Sequence, residues 1–178
     1  MKFRHQLAAQ YLNSGGVISI PTDTIQGLSC LADNDHAISR IIQLKQRSDN
    51  KGLILLSSSV DYFYPFVANA ELVKKIKIED KPTTYLLKAS SDVSPLITGA
   101  FDTVAIRLTD NPLICDLSEA TQSALVSTSA NISNQKVAQS ILELKKSFNN
   151  ELDFIISPKN YNSAPSRIIN LETGERLR

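Results

Sequence analysis

The chain has 178 residues, with 19 basic against 18 acidic side chains and a net charge of +1; one domain of this length buries about 70 % of its unfolded surface, so it folds without a metal or disulfide staple. Near-neutrality excludes a molecule that grips nucleic acid over its whole surface. No apolar run approaches the roughly 20 residues that cross a bilayer, Cys30 and Cys115 match no metal or CxxC spacing, and His5 and His36 are the only histidines, so a soluble protein of the reducing cytoplasm is expected, with no membrane span, histidine metal centre or Ser-His-Asp triad.

Phe3, Leu7, Ala8, Tyr11 and Leu12 recur at helical spacing until Asn13-Ser14-Gly15-Gly16 ends the pattern. A buried strand begins at Val17 and runs into the hydroxyl-rich loop Pro21-Thr22-Asp23-Thr24. Asn34 or Asp35 caps a second helix whose apolar side is Ala37, Ile38, Ile41, Ile42 and Leu44, so Lys45 and Arg47 emerge at its carboxyl end. Continuous apolar runs at 53–56, 85–87, 104–106, 124–126 and 154–156 read as strands, several buried on both faces. Helices are expected near 69–78, 111–120 (Asn111 as cap, Pro112 in the first turn) and 136–148. Ser166 to Asn170 turns through Glu172-Thr173-Gly174 into 175–178, a terminal hairpin. No repeat or linker divides the chain, so residues 1–178 are expected to form one α/β domain around a twisted sheet of mixed parallel and antiparallel strands flanked by helices. The order of the strands is not readable from the sequence.

Several segments carry candidate chemistry, and each has a plainer reading. Thr22, Asp23 and Thr24 can bond a ligand or satisfy their own turn. Lys45 and Arg47 offer two fixed charges to an anion, or simply complement a helix carboxyl end. Ser127-Thr128-Ser129-Ala130-Asn131 brings three hydroxyls and an amide to a strand end, where open α/β sheets hold ligands, or forms a Ser/Thr turn. Arg107 continues a buried strand and must find an anion, either a ligand carboxylate or an internal acid such as Asp102 or Asp110. Ser166-Arg167 pairs a hydroxyl with a cation at a strand start. The Gly-x-Ser-x-Gly elbow of a hydrolase is missing.

Taken in order, Pro-Thr-Asp-Thr, Lys-x-Arg, a strand ending in arginine, Ser-x-Ser-Ala-Asn and Pro-Ser-x-Ile-Ile resemble the YrdC/TsaC threonylcarbamoyl-AMP synthases, in their short single-domain form, from about residue 5 to 178. The resemblance implies a YrdC-like fold with a central basic cavity. It also implies a nucleotidyltransferase that condenses L-threonine, bicarbonate or CO2, and ATP into L-threonylcarbamoyladenylate and pyrophosphate, with Mg2+ held mainly through the nucleotide phosphates. The adenylate would feed t6A modification of tRNA adenosine 37, with TsaB/TsaD/TsaE-like proteins and tRNA or another RNA as partners. By the same resemblance Lys45 and Arg47 meet the phosphates and carry catalysis. Lys51, Thr103, Ser129, Asn131 and Arg178 lie on the nucleotide side, and Thr24, Arg107, Ser127 and Ser166 on the threonine side. A closing segment is expected from 132–139 or the terminal residues.

The chain departs from the family pattern at three places: Gln26 stands where an aromatic is usual, Glu79-Asp80-Lys81 replaces the aromatic before Pro82, and Ser133-Asn134 replaces a Ser-Gly. Leu56 aligns with a histidine of longer relatives. The departures at Gln26 and Glu79-Asp80-Lys81 motivate an alternative, a catalytically silent RNA-binding or assembly module of the same fold.

Overall fold

The structure, a computed structural model, describes residues 1–159, 161 and 165–178. Its centre is an eight-stranded sheet built from β1 (Ile18–Pro21), β2 (Gln26–Leu31), β3 (Ile54–Ser57), β4 (Thr83–Lys88), β5 (Thr103–Leu108), β6 (Leu125–Ser129), β7 (Phe154–Ile155) and β8 (Arg167–Asn170), in the order β7-β1-β2-β6-β3-β5-β4-β8. Strands β1 with β7, β3 with β5 and β4 with β8 pair in parallel, and the other neighbours are antiparallel, so the sheet is mixed as the sequence suggested.

Side chains alternate across a sheet, and the apolar runs use both sides. Ile18, Ile20, Leu56 and Leu125 form one cluster with Ala8 and Leu12 of α1 (Phe3–Asn13) and Leu113, Ile114 and Leu117 of α5 (Pro112–Thr121). Their neighbours Val17, Leu28, Leu55 and Val126 point the other way, onto Ile38 and Ile41 of α2 (Asp35–Leu44) and Phe63. With both faces covered, continuous rather than alternating hydrophobicity is what these strands need. Asn34 caps α2 by accepting from the Ala37 amide, and Asn111 caps α5 by accepting from that of Leu113.

The elements differ from expectation where short-range signals compete. Strand β2 was not foreseen, because Gly27 and Ser29 interrupt its apolar residues; their small side chains fit where Ser29 bonds the Val126 carbonyl at 2.6 Å and a Cβ at Gly27 would press on Thr128 O at 3.2 Å. The helix expected at 69–78 narrows to α3 (Ala70–Val73), after which Lys75 and Ile76 bond three residues back and place Ile76 in the core. The one expected at 136–148 begins only at α6 (Ile141–Ser147), since the Ser140 hydroxyl caps it and the Ala138 amide is already bonded to Ala130 O. A single turn, α4 (Pro95–Thr98), and the 3₁₀ segment Val60–Phe66 were also unforeseen. The terminal hairpin is present, closed by Asn170 N to Glu175 O and Leu177 N to Ile168 O.

Candidate functional site

Register explains how the site arises. Leu56 pairs with Leu125 on the face under α1 and α5, so Ile54, Ser127 and Ser129 lie on that same face. Arg107 stands opposite Leu56 on β5, which puts it on that face too. Beyond the helices this strip turns from apolar to small and polar, and it floors a cavity of about 550 Å3 lined by Thr24, Ile25, Arg47, Gly52, Leu53, Ile54, Arg107, Ser127, Thr128, Ser129, Pro165, Ser166 and Arg178. Among the described residues, the charged side chains that line it are three arginines, with no carboxylate side chain.

The β1–β2 turn overhangs one side. Thr22 satisfies that turn by itself: its hydroxyl donates to Ile25 O at 2.7 Å and accepts from the Thr24 and Ile25 amides. Asp23 and Thr24 are thereby turned toward Arg107. The Arg107 guanidinium, 5 % exposed, donates through Nη1 to Asp23 Oδ1 at 3.0 Å and Thr24 Oγ1 at 3.5 Å, through Nε to Thr84 Oγ1 at 3.1 Å, and through Nη2 to Ser166 Oγ at 3.3 Å. Burial lowers its pKa, Asp23 opposes that shift, and Arg178 adds to it. The internal acid is therefore Asp23, neither Asp102 nor Asp110. Ser166 Oγ also bonds Thr84 Oγ1 at 3.1 Å and accepts from Arg178 Nη2 at 3.3 Å, so one hydroxyl joins two guanidiniums.

At the other end Arg47 is held without an acid. Its Nη2 donates to Gly52 O at 2.6 Å and Lys51 O at 3.3 Å, its Nη1 to Thr128 Oγ1 at 3.2 Å, and its buried Nε has no partner among the described residues. Burial lowers its pKa. Lys45 lies beneath the strand end, 2 % exposed, with Nζ donating to Ser129 O, to Asn131 O at 2.8 Å and to Asn131 Oδ1 at 3.5 Å. Burial first, and Arg47 second, pull its pKa down to about 7. The Asn131 amide nitrogen donates to Ile132 O and Gln135 O, and Ser133 N to Lys45 O, which fastens the loop after β6 to the end of α2.

Of the eleven candidate residues, Thr24, Arg47, Arg107, Ser127, Ser129, Ser166 and Arg178 line the cavity together. Lys45 and Asn131 stand behind its wall, Lys51 is exposed and contributes its carbonyl to Arg47, and Thr103 pairs with Lys88 at the start of β5. Pro165, Ser166 and Arg178 reach the cavity from the terminal segment, whereas Ile132 and Gln135 line a separate cleft of about 580 Å3 beside α2 and α6. Asp23 and Thr128 were noted within their motifs but given no site role, and Thr84 was not assigned to the site. Asp23 was visible within Pro-Thr-Asp-Thr, but Thr84 becomes legible only once β4 and β5 are paired, because it then shares the face of Arg107. The departures from the family pattern are accommodated internally: Gln26 donates to Ser19 Oγ and Ile156 O and accepts from Tyr161, and Glu79 accepts from the Tyr85 hydroxyl at 3.0 Å.

Among the described residues no helix is long and apolar enough to cross a membrane. The sequence profile of the Sua5/YciO/YrdC family, described as "Telomere recombination", matches residues 10–178. A protein of Nitrosococcus oceani named threonylcarbamoyl-AMP synthase is 39 % identical, with 99 % of this chain and 97 % of that protein covered. The crystal structure of P. abyssi Sua5 complexed with L-threonine is 27 % identical with a TM-score of 0.82, covering 94 % of this chain; this chain spans about half (51 %) of that longer one. E. coli YciO is 25 % identical with a TM-score of 0.78, covering 98 % of this chain and 87 % of its own. The chain therefore belongs to the Sua5/YciO/YrdC family.

Proposed function

We propose that this chain is a threonylcarbamoyl-AMP synthase, a nucleotidyltransferase that joins L-threonine, bicarbonate or CO2, and ATP to give L-threonylcarbamoyladenylate and pyrophosphate for t6A modification of tRNA adenosine 37. The observation that carries the reading is the convergence of Arg47, Arg107, Arg178 and five hydroxyls on one cavity, in a chain that shares 39 % of its residues with a relative of that name.

Threonine nitrogen takes up CO2 to form a carbamate, and a carbamate oxygen attacks the α-phosphorus of ATP while pyrophosphate leaves. The step brings anions together, so fixed cations must offset the repulsion. Arg107 would fork onto the threonine carboxylate, with Thr24, Ser127 and Ser166 orienting the amino acid. Arg47 would present its cavity-lining guanidinium to the phosphates and Lys45 would add charge from beneath the strand end, making these two the catalytic cations. Lys51, Thr103, Ser129, Asn131 and Arg178 complete the nucleotide side. The donor set does not fit a protein-held Mg2+: among the described residues no carboxylate side chain lines the cavity, and no cluster of three His, Cys, Asp or Glu could cage an ion. Mg2+ would arrive on the triphosphate as part of the nucleotide substrate.

Carbamate and adenylate are both labile in water, so a walled cavity serves the chemistry. The adenylate would pass to TsaB/TsaD/TsaE-like proteins and tRNA in the cytoplasm. Purified chain given ATP, Mg2+, threonine and bicarbonate should release pyrophosphate and an AMP-containing threonine adduct. Formation of neither, together with RNA affinity that falls steeply with salt and survives Arg47→Ala, would favour the silent RNA-binding module instead.

A further inference from the structure

Two of the three acceptors that orient Arg47 are carbonyl oxygens of the loop that follows it, those of Lys51 and Gly52, the third being Thr128 Oγ1. Within the loop Asn50 N donates to Ser48 Oγ at 3.4 Å and Lys51 N to Ser48 O at 3.3 Å; outside it, the loop is fixed by bonds to α4 and the turn after it, Leu53 N to Ile97 O at 2.8 Å and Ala100 N to Asn50 O at 3.1 Å. Between those two bonds lies Gly99, the carboxyl cap of α4. Its φ is 65° and its ψ −135°, a combination that residues with a Cβ rarely adopt. A Cβ there would lie 2.6 Å from Asn50 O, 2.7 Å from Asn50 C and 2.9 Å from Gly52 N. All three are backbone atoms, so no side chain can swing aside to relieve the overlap.

We infer that Gly99 is a positioning residue for Arg47: its bare Cα lets the 50–52 backbone seat directly on the α4–β5 turn, and that seat sets the carbonyls that aim the guanidinium. Gly99 itself does not line the cavity. Any side chain at 99 lifts the loop, moves the Lys51 and Gly52 carbonyls, and turns Arg47 off its line. Arg107 donates to Asp23, Thr24, Thr84 and Ser166 and, among the described residues, to no atom of residues 50–52, so the two ends of the cavity separate in their dependence on Gly99. The inference rests on the reading of Arg47 as the phosphate-facing cation.

The experiment compares Gly99→Ala with wild type by titrating ATP and threonine separately. The expected result is an ATP half-saturation raised about tenfold, as for one lost charge-assisted contact, with the threonine value moving less than about twofold. In an Arg47→Ala background Gly99→Ala should add nothing further to the ATP value, because it acts through that side chain. Equal losses for both ligands, an unchanged ATP value, or full additivity with Arg47→Ala would each overturn the inference. Should Gly99→Ala not fold, hydrogen exchange of the wild-type Ala100 amide decides: ATP should slow it and threonine should not, and an amide indifferent to ATP would overturn it. A wild-type chain that binds no ATP would instead overturn the functional reading, and it is recognised before any variant is made.

Discussion

The two ends of the cavity hold their arginines by different means. Arg107 is pinned by a carboxylate and three hydroxyls, with its charge already met by Asp23 at 3.0 Å. Arg47 rests on neutral oxygens, has no acid partner among the described residues, and keeps Nε free. A guanidinium whose charge is half spoken for suits a ligand with a single carboxylate, while one with its full charge suits a polyanion. One sheet face thus grades its positive potential without any change of fold, by placing Asp23 against Arg107 and neutral oxygens against Arg47.

Four substitutions break or sharpen this contrast. Arg107→Ala carries the largest effect, because it removes the proposed fork for the threonine carboxylate and also strands Asp23 beside buried hydroxyls. Stability should fall by about 3 kcal/mol in denaturant unfolding, and the threonine requirement should rise about ten- to a hundredfold with ATP affected less. Arg47→Ala orphans no acid, so its stability loss should stay near 1 kcal/mol while ATP binding by calorimetry weakens about ten- to a hundredfold.

Lys45→Met tests the cation behind the wall through pH. The folded chain releases the Lys45 proton near pH 7 and the unfolded chain near 10.5, so between those values the unfolded state binds more protons and stability climbs as pH rises. The variant lacks that climb; unfolding curves for the two proteins taken across this window should show the wild-type advantage growing, or its deficit shrinking, with pH. Ser166→Ala gives the smallest change. Its hydroxyl joins both arginines, so about 1 kcal/mol, or roughly fivefold, should be lost on the threonine and ATP sides alike.

Much of this was legible in the sequence, for reasons that can be named. The continuous runs around Leu55, Val104 and Val126 announced strands buried on both faces, and Asn34 and Asn111 announced the helix starts. Arg107 after Ala105-Ile106 announced a buried charge in need of an anion. What stayed hidden depended on pairing. Asp23 reaches Arg107 from 84 positions away in sequence because an unforeseen strand, β2, closes a hairpin over the sheet. Thr84 becomes a site residue only through its register with β5. Lys45 read as a cation at a helix end, yet three oxygens of the end of β6 and the loop after it capture its ammonium, a contact that no local pattern encodes.

The central claim is that amino acid and triphosphate occupy one cavity side by side, anchored on different arginines. Calorimetric titration of threonine into the chain with and without saturating ATP tests it most directly. Simultaneous occupancy predicts one threonine per chain in both titrations, with affinity kept or raised when ATP is present. Displacement of threonine by ATP would contradict it.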